Sequence, residues 1–191
     1  MGGLSEVRFT FDDGPARYTE ELLPILASAG VKATFFMVGE GVERRPELAR
    51  RVWEAGHGIG NHSHTHAALP SLSQDGVRDE LRRCEAALNL AGVPSPAVCR
   101  PPYGETDDQV RQIIEAEGME QVLWDVDPRD WEAGVSAGDV LKRIAAQLPG
   151  APPDPVLLLH DGRGDRSATV EAVRRMLAPA RAAEFADEGH G

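Results

Sequence analysis

Ionisable and ring-bearing residues fall in five short clusters along a chain of 191 residues. They are Asp12-Asp13-Gly14-Pro15, His62-Ser63-His64-Thr65-His66, Arg100-Pro101-Pro102-Tyr103-Gly104, Asp127-Pro128-Arg129-Asp130-Trp131 and Leu158-Leu159-His160. Side chains alternate faces along a strand, so Asp12 and Asp13 point opposite ways. One can bind a metal while the other stays free beside it. His62 and His66 are four residues apart, which brings two imidazoles together if the segment makes a helical turn. His64 falls on another face and reads as a bystander or supporting group. One carboxylate and two imidazoles are a common set for a catalytic zinc, with a fourth position open to water. Such a site yields hydroxide at neutral pH and polarises a carbonyl oxygen. It still needs a base for the water and an acid for the leaving group; Asp12 fits the first role and His160 the second. Taken singly, each cluster also has a structural explanation. Asp-Asp-Gly-Pro is made of turn residues, the histidine segment can be a polar loop, and a lone histidine is most often a satisfied core residue.

These clusters follow short apolar runs that read as strands: Val7–Phe11, Ala33–Val38, His57–Asn61, Ala97–Arg100, Gln121–Val126 and Val156–His160. Strands covered on both faces have this character. Amphipathic segments with readable ends lie between them. Thr19 caps a helix running to Gly30, with Pro24 inside it. Pro46 opens a helix that stops near Gly56. Ser73 starts a longer one, with Val77, Leu81, Cys84, Leu88 and Ala91 on one stripe. Thr106-Asp107-Asp108-Gln109 reads as a capping box before Val110, Ile113 and Ile114. Ser136 to Gln147 and Ser167 to Leu177 complete the set. About six β-α units in series predict parallel strands joined by right-handed crossovers. An open doubly wound sheet and a closed or distorted barrel both fit. In either, chemistry gathers past the carboxyl ends of the strands. No Gly-rich phosphate loop follows the first strand, which disfavours the nucleotide-binding form.

Composition bounds the partners. The formal net charge is −11, so the chain repels the phosphate backbone and nucleic acid is not expected. No apolar run approaches the roughly 18–20 residues needed to span a bilayer. The opening Met1-Gly2-Gly3-Leu4 has neither a basic nor an apolar leader region, which fits a cytoplasmic protein or one whose leader is removed. Cys84 and Cys99 are too few for a disulfide scaffold and read as two buried thiols or one disulfide. A single domain over 1–191 is expected, with a frayed tail over 185–191.

Together, in this order and spacing, the five clusters resemble the motifs of polysaccharide deacetylases, the NodB-homology family, also called carbohydrate esterase family four. The resemblance runs from about Val7 to Leu177. It implies a distorted, incomplete (β/α) barrel. It also implies that Asp13, His62 and His66 hold a divalent metal, most often zinc, with cobalt or nickel as alternatives. By the same resemblance Asp12 is the general base, Arg100 its orienting partner, His160 the general acid and Asp130 the carboxylate that tunes His160. The backbone N–H of Tyr103 becomes an oxyanion donor, while Trp131 and Leu158 wall the pocket for the acetyl methyl group. Substrates implied are acetylated oligo- or polysaccharides (chitin, chitooligosaccharides or peptidoglycan), handled by a monomer that is secreted or in the cell envelope.

Other readings use the same residues. O-deacetylation of xylan needs the same site, and a divergent member could hydrolyse a C–N bond in a small metabolite. A non-catalytic carbohydrate-binding protein is disfavoured, because binding alone needs no paired base and acid. Tyr18, Tyr103 and Trp131 as rim aromatics suggest a short, open groove. Two features depart from the family pattern: Cys99 stands where a larger apolar residue is expected, and the run Arg181–Phe185 leads into a charged tail where a final strand is expected. Trp53 and Trp124 read as packing residues.

Overall fold

The computed structural model describes residues 7–178. The expected tail and the stretch where a final strand is expected lie outside the described residues. Among these residues six parallel strands form one sheet: β1 (Arg8–Asp12), β2 (Thr34–Met37), β3 (Gly58–Asn61), β4 (Val98–Cys99), β5 (Glu120–Gln121) and β6 (Val156–His160). Their order is β5-β4-β3-β2-β1-β6. The sheet curls into an incomplete barrel, the second of the two layouts open to the sequence. Among the described residues seven α-helices accompany it: α1 (Arg17–Ala29), α2 (Gly39–Arg44), α3 (Pro46–Glu54), α4 (Gln74–Leu90), α5 (Asp108–Ala116), α6 (Ala137–Gln147) and α7 (Ser167–Met176). Neighbouring helices touch in the sequence α6, α7, α1, α3, α4, α5, a continuous belt that follows the strands.

Strand register sorts the side chains. Thr10 pairs with Leu158 and Asp12 with His160. The alternate residues Phe9, Phe11, Leu157 and Leu159 join Phe35 and Met37 in the main apolar core. Thr10, Asp12, Leu158 and His160 therefore share the other face. A smaller core under β4 joins Leu69, Val77, Leu81, Cys99, Val110 and Ile114. Both cysteines are buried free thiols, which resolves the alternative left by the sequence.

Several boundaries differ from expectation for identifiable reasons. Helix α1 starts before Thr19, whose hydroxyl instead accepts from the Ala16 N–H at 2.8 Å from inside the first turn. Gly30 ends that helix with a left-handed φ of 66°. At α5 the cap is Asp107, which accepts from the Val110 N–H at 2.8 Å; Thr106 bonds to Gln121 instead. The fifth strand stops at Gln121 because the next two carbonyls, of Val122 and Leu123, accept from the Arg100 guanidinium. Only Val126 rejoins the sheet, bridging to Leu157. Helix α2 was not foreseen. Its glycines are set by close packing rather than by flexibility: a Cβ on Gly39 would meet His64 at 2.3 Å, and one on Gly41 would meet Gly14 at 3.2 Å. Trp53 is 43% exposed, so it lies outside the core.

Arg100 ties these layers together. It is fully buried, stacks over the Phe36 ring at 4.1 Å and donates to Asp12, Thr10 and two carbonyls. Breaking a buried ion pair from one side leaves an uncompensated charge, at about 3–5 kcal/mol. Arg100→Met is therefore expected to lower the unfolding free energy by about 3 kcal/mol or more, read from urea denaturation. A change within about 0.5 kcal/mol would contradict this account of the core.

Candidate metal centre and active site

Asp13, His62 and His66 come together. One ligand atom from each lies within 4.8 Å of the other two. Asp13 Oδ1 is 3.7 Å from His62 Nε2 and 3.0 Å from His66 Nε2. The second contact is off the line of a hydrogen bond, so this buried oxygen has no hydrogen-bond partner. Three donor atoms aimed at a common point fit a cation. Tetrahedral coordination at about 2.0–2.2 Å sets ligand atoms roughly 3.3–3.6 Å apart, close to the spacings here.

Local backbone, rather than helix, makes this convergence. The His62–His66 segment is a bend and not the helical turn that the spacing suggested. Ser63 and His66 adopt φ values of 61° and 65°, a left-handed conformation rare in non-glycine residues. That turn brings the two rings to 5.1 Å between centroids. Asp13 has φ of 78°, which breaks the alternation expected of adjacent strand residues. Asp12 Oδ2 and Asp13 Oδ1 consequently both stand 3.7 Å from His62 Nε2. His64 is turned away, buried with Nε2 3.8 Å from Glu43.

Protonation favours the same reading. His62 Nδ1 lies 2.6 Å from the Arg100 carbonyl; as donor there, it leaves Nε2 as a lone pair facing Asp13. Burial holds the His62 imidazole below its ordinary pKa, against the pull of Asp12 and Asp13. Burial pushes the Asp13 carboxyl up, but the facing His66 and His62 rings outweigh it and hold the group low. A neutral imidazole and an ionised carboxylate are the forms a metal takes.

Two further pairs flank the triad. Arg100 Nη1 donates to Asp12 Oδ1 at 2.8 Å, leaving Oδ2 on the metal side. His160 Nδ1 meets Asp130 Oδ1 at 2.7 Å, while Asp130 Oδ2 accepts from the His160 N–H and the Thr169 hydroxyl. Burial disfavours the charged His160 ring, yet the Asp130 bond, with the Asp12 and Asp13 charges, pushes its pKa up to about 8. Tyr103 is 61% exposed and sets its ring edge-on to His66 at 4.6 Å. Its N–H has no acceptor among the described residues. Trp131, 45% exposed, lies under the Arg129 guanidinium. Leu158 is buried on the face it shares with His160. Tyr18, the remaining rim aromatic, is instead tied to Asp165 by its hydroxyl.

Two residues have a supporting place that the sequence reading did not give them, Trp124 having been read only as a packing residue. Trp124 closes over Arg100 at 5.6 Å and fills the space beside Gly104, where a Cβ would meet it at 2.5 Å and φ is +68°; it therefore braces the Tyr103 turn as well as packing. Asp161 is fully buried next to the catalytic histidine candidate, and accepts from Thr19 Oγ1 at 2.5 Å. Its position directly after His160 was the only available signal.

The fold is an incomplete parallel α/β barrel that carries a possible Asp/His/His metal site between a carboxylate–guanidinium pair and a carboxylate–imidazole pair. Residues 4–122 match the family model described as polysaccharide deacetylase, and the chain belongs to that family. It is 36% identical to a peptidoglycan-N-acetylglucosamine deacetylase of Bacillus cereus over 91% of this chain and 62% of the relative. The chain thus spans less than two thirds of that protein. It is 37% identical to a chitooligosaccharide deacetylase of Sinorhizobium fredii, covering 92% of this chain and 85% of the relative. A family 4 carbohydrate esterase from Streptomyces lividans in complex with acetate superposes with a TM-score of 0.82 and 33% identity, over 96% of this chain and 88% of that one. No helix among the described residues is long and apolar enough to cross a membrane.

Asp161 gives a test of the site's electrostatics. Burial pushes its carboxyl from 3.8 up to about 7, aided by the Asp13 and Asp12 charges and opposed by the Thr19 hydrogen bond. The folded state then holds a proton that the unfolded state has lost, so stability from this group falls as pH rises from about 4 to about 7. In chelator-treated protein, the melting temperature of Asp161→Asn relative to the parent should climb by several degrees between pH 5 and pH 8. A constant offset across that range would contradict the buried-carboxyl assignment.

Proposed function

We propose that the chain is a metal-dependent hydrolase that removes acetyl groups from N-acetylglucosamine units of chitooligosaccharide or peptidoglycan. The observation that carries this reading is the convergence of Asp13, His62 and His66 between the Asp12–Arg100 and His160–Asp130 pairs. Two imidazoles and a carboxylate suit zinc, with cobalt or nickel as substitutes. When bound, such an ion lowers the pKa of water and polarises the acetyl carbonyl.

The chain's own residues do the rest. Asp12, held at Oδ1 by Arg100, keeps Oδ2 free to accept a proton from the attacking water. The Tyr103 N–H meets the charge that develops on the acetyl oxygen; a donor of this kind is worth about 3 kcal/mol. Trp131 and Leu158 flank the methyl group. His160 has Nδ1 committed to Asp130 and carries its mobile proton on Nε2. It gives that proton to the sugar nitrogen as the C–N bond breaks, releasing acetate and a free amine. All these residues come from one chain, so a monomer suffices. A wall or chitin substrate implies work at or beyond the cell envelope.

Acetate release from chitopentaose, peptidoglycan and acetylated xylan, measured side by side, tests the substrate class; the N-acetylated glycans are expected to lead. Exhaustive chelation should abolish turnover and zinc should restore it. Activity that survives chelation would contradict the mechanism. Asp12→Asn should lower kcat by roughly 10²–10⁴-fold while oligosaccharide binding survives. His160 must be protonated to act, so turnover falls as pH rises through its pKa. Asp130→Asn removes the main group that raises that pKa, and the alkaline limb should move down by about one unit or more. An unmoved limb would assign it to another group.

A further inference from the structure

We infer that Glu80, on helix α4 and outside all five sequence clusters, is a positioning residue that sets the spacing of the two metal-binding imidazoles. The inference rests on the reading of Asp13, His62 and His66 as ligands. Glu80 is 7% exposed. Its Oε2 accepts from the His64 N–H at 2.9 Å and the Thr65 N–H at 2.8 Å, and its Oε1 accepts from Thr65 Oγ1 at 2.9 Å. The nearby arginines of α4 are engaged elsewhere: Arg78 with Asp75, Arg82 with Glu117 and Arg83 with Asp79. A buried carboxylate without a cation, with both oxygens spent on one bend, acts on that bend.

The bend needs such an anchor. Left-handed φ values at Ser63 and His66 persist only where the surroundings over-determine them. The ends of the segment are held by Asn61 Oδ1 on the Ser63 N–H, by Ser63 Oγ on the His66 N–H and by the Arg100 carbonyl on His62 Nδ1. In the middle, between the two ligand residues, the Gly39 and Glu40 N–H groups donate to the Ser63 and His64 carbonyls, and Glu80 is the side chain that takes the His64 and Thr65 N–H groups. Without it those two N–H groups lose their acceptor in a buried place, and the spacing of His62 and His66 loosens. Groups that orient metal ligands in this way typically matter by 10–100-fold in affinity. The role is geometric, so glutamine should serve. Its oxygen can take both N–H groups, and its NH2 can donate to the Thr65 hydroxyl, which accepts as well as donates.

The test is a titration of Co2+ into the chelator-stripped full chain, followed by calorimetry and by the visible absorption of bound cobalt. The parent should bind one ion, and His62→Ala should lose it. Glu80→Ala should weaken binding by about tenfold or more and alter the cobalt bands, whereas Glu80→Gln should stay within about threefold of the parent with its spectrum. Leu88→Ala, a core change on the same helix, should lower the melting temperature without moving either readout. Should Glu80→Ala fail to fold, Glu80→Asp, one methylene shorter, is expected to show the same loss. Glu80→Ala within about twofold of the parent, or Glu80→Gln as weak as Glu80→Ala, would overturn the inference. A parent indifferent to His62→Ala would instead overturn the ligand set itself, and the role of Glu80 with it.

Discussion

A carboxylate oxygen with no hydrogen-bond partner, buried against two imidazole nitrogens, is the constraint around which this molecule is built. An unpaired acceptor in a dry place is unfavourable by roughly 1–3 kcal/mol, more when charged. Asp13 Oδ1 is in that position among the described residues, and the Nε2 atoms of His62 and His66 face it. A divalent cation removes the conflict. The left-handed turns at Asp13, Ser63 and His66 are the backbone's contribution, and the packing of α2 and α4 around them keeps those turns in place.

Parallel register supplies the second half of the site. Asp12 sits beside His160 because β1 pairs with β6, so residues at opposite ends of the chain become neighbours across one strand spacing. Arg100, from the far side of the sheet, reaches back under the site to hold Asp12 and to take the carbonyls of Val122 and Leu123. One buried guanidinium therefore shapes both the proposed base and the loop that ends the fifth strand. Asp130 performs the corresponding task for His160 and is itself fixed by Thr169 of α7.

Much of this was legible in the sequence because strands covered on both faces leave apolar runs, and polar residues that end such runs fall on one rim. Asp12, Asp13, His62, His66, Arg100, Asp130 and His160, which the fold brings together, were all singled out that way or through the family likeness they carry. Backbone handedness was not legible: nothing in Asp13, Ser63 or His66 advertises a positive φ, since the residues that usually signal it are glycines. Helix α2 was hidden by Gly39 and Gly41, poor helix formers chosen for close packing. The places of Glu80, Asp161 and Trp124 were not legible, because each meets its partners across a long sequence separation that only the folded sheet closes. Thr19 and Thr106 read as caps, but tertiary partners claimed their hydroxyls.

X-ray absorption at the zinc edge of the loaded protein tests the central claim most directly. The account predicts one ion per chain, coordinated by two imidazole nitrogens and light oxygen atoms, with that signature lost when Asp13, His62 or His66 is replaced. Sulfur in the coordination shell, or an imidazole signal unchanged by replacing both histidines, would contradict it.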